Sequence, residues 1–312
     1  MAEMIATRDA YGEALARLGE TNESIVVLDA DLSGSTKTSI FAKKFPERFF
    51  NMGIAEQDMM GTAAGLAASG KIPFASTFAI FATGRAWEQV RQSIAYPRQN
   101  VKIVASHAGI TVGEDGASHQ SVEDITVMRA IPNMTVIVPA DGIETGKVIE
   151  EIIKYNGPVY VRVGRGKSPV VMNESHPFEI GKGTVLKDGS DVSIIACGIM
   201  VSKALEAAEM LKSGGISARV INMSTIKPLD VPLIVKAARD TRAIVTAEEH
   251  SIIGGLGGAV SEVLAENCPV PLKRIGIEDV FGTSGDADRL LELYGLTPLN
   301  IAKAAREVIA KK

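Results

Sequence analysis

Short runs of aliphatic and β-branched residues alternate with amphipathic stretches along most of the chain. Residues 24–29 (SIVVLD) and 101–106 (VKIVAS) are typical of buried strands, because each run is short, rich in valine and isoleucine and bounded by polar residues. Residues 142–154 and 200–213 carry apolar side chains at helical spacing. Strands that alternate with helices favour a mostly parallel sheet covered on both faces. We therefore predict an α/β fold.

The length of the chain indicates more than one domain. At 312 residues it exceeds what one hydrophobic core comfortably supports. After a predicted strand at 159–163, a stretch with several prolines and glycines shows no periodicity, and a second, shorter alternation of strands and helices follows. We predict a first domain over residues 1–168, a linker over 169–185 and a second domain over 186–312, each with a mostly parallel sheet covered by helices.

Composition argues against several classes of function. The net charge is −4 with no basic stripe, and aromatic residues make up only 5 %, so we expect no nucleic-acid partner. The longest strongly apolar stretch, residues 192–201, is too short to cross a bilayer. The first residues carry no secretory pattern, and Cys197 and Cys268 form no disulfide framework. We expect a cytoplasmic protein without a membrane partner.

Residues 49–70 (FFNMGIAEQDMMGTAAGLAASG) predict a helix of unusually small side chains. Glycine in a helix costs about 1 kcal/mol relative to alanine, so close packing must compensate. The small residues from Gly61 to Ala68 would let another backbone approach closely. Glu56 and Asp58 fall in the first turn, where acidic side chains complement the helix dipole. On these residues alone, that ordinary role is the favoured interpretation for Glu56.

Three further segments change this interpretation: DADLSGST at 29–36, STFAIFATGRAWEQVR at 76–91 and ASHAGITVGEDGASHQSVED at 105–124. Their order and spacing resemble the C-terminal half of transketolase, a thiamine-diphosphate enzyme of the pentose phosphate pathway. The resemblance covers nearly the whole chain and is strongest in GIAEQ and GEDGASHQ. It implies a pyrimidine-binding domain followed by a transketolase C-terminal domain. It also implies transfer of a two-carbon ketol unit between sugar phosphates.

The resemblance implies a cofactor site. Glu56 would hydrogen-bond N1′ of the thiamine aminopyrimidine and so activate the cofactor. Phe78 and Phe81, three residues apart on one side of a helix, would lie against the ring, although two such phenylalanines can also be an ordinary core pair. Asp31 matches an acid near the cofactor. The sequence departs from the pattern in two places, with Gln57 where histidine is frequent and Gly84 where many transketolases have a third aromatic residue.

The resemblance also implies a substrate channel. Catalytic His119 would hydrogen-bond the carbonyl-derived oxygen of the donor, and Asp115 a sugar hydroxyl. Positions that match contacts to the substrate phosphate are Arg8, Ser35, His107 and Arg165, with Arg162 as a possible substitute for Arg165. Metal binding by His107 and His119 is disfavoured, because their separation of twelve residues matches no short ligand spacing. His176 and His250, outside the pattern, are expected to be surface or helix-cap residues.

One expected motif is missing from the sequence. Thiamine enzymes hold the cofactor's diphosphate through a divalent cation, bound by a Gly-Asp-Gly segment and a downstream asparagine. This chain has no such motif, and the resemblance places it in the other half of transketolase. We therefore predict a partner, an N-terminal transketolase subunit that carries the diphosphate and Mg²⁺ or Ca²⁺, in a two-plus-two assembly. The helix at residues 61–68 would form part of the interface between chains.

Other functions stay open at this point. With the same cofactor, the chain could resemble deoxyxylulose-phosphate synthase, with which we equally associate Gln57, or the beta subunit of a 2-oxo-acid dehydrogenase. It could also be a non-catalytic regulatory subunit. The glycine-rich run at 252–260 (IIGGLGGAV) resembles a dinucleotide fingerprint only weakly, since the third glycine and the ribose-binding acid are missing.

Overall fold

The computed structural model of the protein describes residues 3–312. Its strands are β1 (Met4–Ala6), β2 (Ile25–Asp29), β3 (Phe49–Asn51), β4 (Ile72–Ser76), β5 (Lys102–Ala105), β6 (Thr135–Ile137), β7 (Val159–Arg162), β8 (Lys167–Pro169), β9 (Thr184–Lys187), β10 (Val192–Ala196), β11 (Ala218–Asn222), β12 (Thr225–Lys227), β13 (Ile244–Ser251) and β14 (Leu272–Ile277).

The α-helices lie between these strands and after them. They are α1 (Thr7–Gly19), α2 (Ser33–Thr36), α3 (Ser39–Lys44), α4 (Glu56–Ala68), α5 (Trp87–Gln89), α6 (Asp124–Arg129), α7 (Gly142–Ile152), α8 (Met200–Ser213), α9 (Val231–Thr241), α10 (Leu256–Asn267), α11 (Ala287–Leu293) and α12 (Pro298–Ile309). Two π-helical turns, Phe81–Arg85 and Val90–Ala95, flank α5.

The strands form two larger sheets. The first has seven strands in the order β12-β6-β7-β5-β4-β2-β3, and all are parallel to their neighbours except β12. The second has five strands in the order β14-β13-β10-β11-β9, with only β9 antiparallel. Strands β1 and β8 form a separate antiparallel pair. The predicted α/β fold with mostly parallel sheets is confirmed.

The central strands are buried along their whole length, which explains why they appear in the sequence as continuous apolar runs. Every residue of β2 and of β10 is buried. One hydrophobic cluster contains side chains of both halves of the chain, such as Val26 and Ile103 with Ile195 and Ile234. Strand β12 lies in the predicted second domain yet pairs with β6 of the first sheet, so the two halves share a core and a sheet.

The sequence also predicts how the last helix begins. The Thr297 hydroxyl oxygen accepts a hydrogen bond from the Asn300 backbone N–H at 3.2 Å, and Pro298 is the first residue of α12. Proline suits this position because its missing N–H would have no partner inside the helix. The predicted cap is confirmed.

Candidate active site

The predicted site residues lie at one edge of the seven-stranded sheet. Strands β2, β4 and β5 are neighbours in that sheet and run in the same direction, so their carboxyl ends meet at this edge. The segments that follow them carry Ser35, the Phe78–Phe81 pair and His107, respectively. In open α/β sheets this edge is where ligands bind. The topology therefore brings together residues that are far apart in the chain.

Glu56 is the first residue of α4 and is 1 % exposed. Its Oε2 accepts a hydrogen bond from Arg85 Nη1 at 2.8 Å, which makes a salt bridge. The Arg85 guanidinium carbon also lies 4.6 Å from the centroid of the Phe81 ring. No sequence pattern predicts this contact of Arg85, because the π-helical turn that carries it changes which side chains share a face.

The two phenylalanines and two of the histidines form an aromatic cluster. The rings of Phe78 and Phe81 are nearly parallel, with centroids 6.0 Å apart and an interplanar angle of 10°. The ring of His107 stacks on Phe78 at 3.8 Å. His119 meets the rings of Phe78 and Phe81 edge-on, at centroid distances of 6.1 and 5.5 Å. Phe81 is only half-buried, so the cluster keeps an aromatic surface that a planar ligand could contact.

Two arginines lie beside this cluster. Arg8 Nη1 donates to the Ser35 carbonyl oxygen at 3.0 Å and lies 3.4 Å from His107 Nε2. Arg165 Nη1 donates to the Val112 carbonyl oxygen at 2.6 Å and lies 3.5 Å from a carboxylate oxygen of Asp115. Both guanidinium groups are close enough to disfavour a positive charge on His107. Such a concentration of cationic donors suits an anionic ligand.

His107 is a neutral imidazole in this setting. Burial, followed by the charges of Arg8, Arg165 and His119, lowers the pKa of His107 to about 3. Its Nε2 faces the Arg8 guanidinium, which can only donate, so Nε2 is the acceptor. We therefore assign the ring proton to Nδ1, which donates to the Ser106 hydroxyl at 2.9 Å.

The C-terminal half of the chain holds in place the loop from His107 to Asp124, which also carries Asp115 and His119. A carboxylate oxygen of Glu249, in β13, accepts a hydrogen bond from the Thr111 backbone N–H at 2.7 Å. The Gln120 side-chain amide donates to the carbonyl oxygens of Ile110 at 3.1 Å and Thr283 at 2.9 Å. These contacts could not be predicted, because Glu249 stands in no motif and Thr283 is distant from Gln120 in the chain.

The structure corrects one candidate. Arg162 is 6 % exposed, and its Nε donates to a carboxylate oxygen of Asp124 at 2.8 Å. Its Nη2 donates to the carbonyl oxygens of Ser121 and Glu249. The possibility that Arg162 substitutes for Arg165 in substrate binding is wrong, because its guanidinium is buried and already paired.

The prediction that His250 is a surface or helix-cap residue is partly wrong. Its side chain is completely buried, so the expectation of a surface residue is wrong for it. Its Nε2 accepts from the Thr126 backbone N–H at 3.4 Å, in the first turn of α6, which is a capping contact. His176 is half-buried and lies 2.8 Å from the Thr184 hydroxyl.

The side chain of Asp31 forms its hydrogen bond with a residue outside the aromatic cluster. It is exposed, with a left-handed φ of 62°, and accepts a hydrogen bond from the Asn51 side-chain amide at 2.9 Å. The buried acid of this loop is Asp29, which accepts from the hydroxyls of Thr36 and Thr38 at 2.7 and 2.8 Å. Asp29 therefore fixes the loop, and the geometry brings Asp31 to Asn51 rather than to Glu56.

One face of α4 is open. A Cβ atom added at Gly61 or Gly65 would meet nothing within 4 Å, and both positions are exposed. Within residues 3–312, no group of three or more potential ligand side chains could hold a metal ion. No helix in the described part of the chain is long and apolar enough to span a membrane.

Comparison with known proteins defines the class to which this fold and site belong. Residues 3–170 match the family model described as the transketolase pyrimidine-binding domain, and residues 181–301 match the transketolase C-terminal domain. The chain belongs to the transketolase family, which is thiamine-diphosphate-dependent. The resemblance seen in the sequence is thereby confirmed.

Several relatives have nearly the same length as this chain. It is 59 % identical to a putative transketolase C-terminal section of Methanocaldococcus jannaschii, over 98 % of this chain and 96 % of the relative. A solved structure described as a split gene transketolase, inactive beta4 tetramer, is 57 % identical, with a TM-score of 0.92 over 98 % of this chain and 99 % of that one. Human transketolase is 38 % identical over 99 % of this chain, which spans 50 % of the human protein.

We predict that Gly109→Ala destabilises the chain by about 2 kcal/mol or more. Gly109 has a φ of 79°, and an added Cβ would lie 2.3 Å from the Glu249 carboxylate. That carboxylate cannot simply move aside, because it is buried and bonded to the Thr111 N–H. Denaturant unfolding measures the change.

Gly146→Ala is the matched control for this substitution. Gly146 lies inside α7 with nothing within 4 Å of an added Cβ, so this change should stabilise the chain by roughly 0.5–1 kcal/mol. Equal effects of the two substitutions would contradict the constraint at Gly109.

We also predict that His107 makes the chain less stable in acid. The unfolded histidine titrates near pH ~6.5, whereas the folded one stays neutral, so below that pH only the unfolded state gains the proton. This contribution to stability is complete above pH ~6.5 and falls as the pH falls, by roughly 2 kcal/mol at pH ~5.

His107→Asn should remove this part of the pH dependence, as followed by unfolding at pH values between roughly 5 and 7. The control is His176→Asn, at a half-buried histidine outside the cationic cluster. The prediction would be contradicted if the free energy of unfolding of His107→Asn depended on pH as steeply as that of the wild type. It would also be contradicted if both variants reduced this pH dependence equally.

Proposed function

We propose that the chain is the subunit of a two-chain transketolase that supplies the aminopyrimidine-activating glutamate and most of the substrate channel. The reaction is transfer of a two-carbon ketol unit between sugar phosphates. One observation carries the proposal: the buried Glu56 carboxylate and the half-buried ring of Phe81 both contact the Arg85 guanidinium, and His119 meets that ring edge-on. An acid, an aromatic face and an imidazole at the ligand-binding edge of a parallel sheet suit this chemistry.

The chain's residues fit the aminopyrimidine part of thiamine diphosphate. The Glu56 carboxyl group would hydrogen-bond N1′, and its burial would keep water from competing for that bond. The face of Phe81 would stack on the ring, while Phe78 supports it from behind in a parallel arrangement. When bound, the cofactor supplies the carbanion chemistry of ketol transfer.

His119 and Asp115 would orient the sugar. His119 is partly exposed and Asp115 is exposed, so both can reach a substrate. We assign to His119 a hydrogen bond to the oxygen derived from the donor's carbonyl group, and to Asp115 a bond to a sugar hydroxyl. Asp31 is a less direct candidate for the cofactor, because its side chain is engaged by Asn51.

Arg8 and Arg165 would bind the anionic end of the substrate, with Ser35 and His107 beside them. Arg8 Nε is buried without a hydrogen-bond partner among the described residues, which favours an external acceptor there. Burial and the charge of Arg165 both lower the pKa of Arg8, although Asp9 opposes them, so an anion would relieve a real repulsion. Neutral His107 adds no further charge and can share its Nε2 with Arg8.

Two relatives support an anionic substrate. A 6-deoxy-6-sulfo-D-fructose transketolase subunit of Clostridium is 45 % identical, and a subunit of the apulose-4-phosphate transketolase of Phocaeicola vulgatus is 44 % identical. A sulfonate and a phosphate are both tetrahedral anions that guanidinium groups bind well. For this chain we propose a phosphate.

We further propose that an N-terminal transketolase subunit binds the diphosphate and its Mg²⁺ or Ca²⁺. The name of the Methanocaldococcus relative and the description of the similar structure as an inactive beta4 tetramer support a missing partner. The open face of α4, with Gly61 and Gly65, suits the interface in a two-plus-two assembly. In this assembly residues 1–168 would be the pyrimidine-binding domain, 169–185 a linker and 186–312 the C-terminal domain.

The assignment of Glu56 is tested in the enzyme reconstituted from this chain, its N-terminal counterpart, thiamine diphosphate and Mg²⁺. We expect Glu56→Ala to lower kcat for ketol transfer by about 100-fold or more, since it removes the group that sets the protonation of the ring. Glu266→Gln, at an exposed acid in α10 of the other half of the chain, should leave kcat unchanged. A loss below about tenfold for Glu56→Ala, about 1.4 kcal/mol of barrier, would refute the role.

The phosphate site is tested by comparing a phosphorylated donor with the same sugar lacking the phosphate. Arg165→Ala should raise KM for the phosphorylated donor by about 10- to 100-fold, because a hydrogen bond between charged groups contributes about 1.5–3 kcal/mol. It should change KM for the unphosphorylated donor little. Lys167→Ala, at a neighbouring exposed cation, is the control. Equal effects on both donors would rule out a phosphate contact.

A further inference from the structure

The ion pair between Glu56 and Arg85 joins two side chains of very different accessibility. The Glu56 side chain is 1 % exposed, whereas that of Arg85 is 47 % exposed. Arg85 therefore reaches in from the surface with its Nη1, 2.8 Å from the Glu56 carboxylate, while much of its side chain stays in solvent. Of the two partners, only arginine can leave the pair without taking a buried group through the protein.

The π-helical turn brings Arg85 to this position. It spans Phe81–Arg85, so the arginine lies one wide turn beyond the phenylalanine and can fold back over its ring. The guanidinium carbon is 4.6 Å from the Phe81 centroid, a cation–π distance. Gly84 adds no side chain between them, and a Cβ there would meet only Ile80, at 3.9 Å.

Arg85 thus contacts the Glu56 carboxylate and the Phe81 ring, the two groups that we propose bind the cofactor. A guanidinium is planar, stacks on aromatic rings and donates to carboxylates. An aminopyrimidine bound by Glu56 and Phe81 would make the same two contacts. We infer that the Arg85 guanidinium competes with the aminopyrimidine for the Glu56 carboxylate and the face of Phe81, so Arg85 must swing out before the cofactor can bind. This inference rests on the proposed function, because it takes the roles of Glu56 and Phe81 from it.

The consequence is a penalty on cofactor affinity. A half-exposed ion pair and one cation–π contact are each modest in free energy, and part of the loss is recovered when the guanidinium returns to water. The long arginine side chain can reach solvent by rotating about its own bonds. We expect Arg85 to weaken cofactor binding by about fivefold, which corresponds to about 1 kcal/mol.

Calorimetric titration of thiamine diphosphate, with Mg²⁺ present, into the reconstituted two-chain protein tests this competition. Arg85→Ala should lower the Kd by about fivefold. Arg85→Lys keeps the charge but loses the planar fork, so its Kd should lie between those of the wild type and Arg85→Ala. Arg91→Ala, at an exposed arginine in the next π-helical turn, should leave the Kd unchanged.

The inference is overturned if Arg85→Ala raises the Kd or leaves it unchanged, because arginine would then support the cofactor or lie outside its site. An effect of Arg91→Ala equal to that of Arg85→Ala would overturn it too, since the gain would then come from general charge. In a Glu56→Ala background, the gain from Arg85→Ala should shrink, because arginine is no longer held over the ring.

Failure of the inference and failure of the proposed function give different results. If Glu56→Ala lowers kcat by less than about tenfold, the proposed function fails. If Glu56→Ala behaves as expected but Arg85→Ala does not tighten binding, only the competition by Arg85 fails.

Discussion

The buried guanidinium of Arg162 connects the two halves of the chain to the loop between His107 and Asp124. From the end of β7 it bonds to Asp124 at the start of α6, to the carbonyl oxygen of Ser121 and to that of Glu249 in β13. Asp124 and Glu249 raise the pKa of Arg162 further than burial lowers it, so the charge is stable there. Removing one partner of a buried pair typically costs about 3–5 kcal/mol. The loop between His107 and Asp124 is thus fastened at its far end.

From this anchor, the geometry of the site follows in two steps. Glu249 bonds to the N–H of Thr111 and fills the space beside Gly109, which fixes the near part of the loop. Gln120 ties the loop to the segment before α11 through the Thr283 carbonyl oxygen. The C-terminal half therefore contributes to the candidate site by positioning it, although the aromatic and cationic groups proposed to bind ligands belong to the N-terminal half.

Helices and strands with a regular apolar pattern could be predicted from the sequence, whereas contacts between distant elements could not. Helix α8 has the bounds that its apolar periodicity predicts, and strands β2 and β7 differ from the prediction by one residue, because burial of those side chains decides the structure locally. The pattern missed α6, α11 and β12. Strand β12 is three residues long and pairs antiparallel with β6 in the other half of the chain, which only the assembled core decides.

In the candidate site, too, some residues could be predicted from the sequence and others could not. Glu56, Phe78 and His107 could be named because the resemblance assigns roles to them. The contacts of Arg85 and Glu249 could not be predicted, since a π-helical turn and a long-range contact place these side chains. Two features of the candidate site support the proposal that ligands bind there. Arg8 keeps a buried N–H without a partner among the described residues, and Glu56 is paired only with an arginine half in water. A fold optimised for stability alone would pair such groups internally. The proposed ligands would complete these contacts, since an anion would pair with Arg8 and a planar ring would bond to Glu56 in place of Arg85.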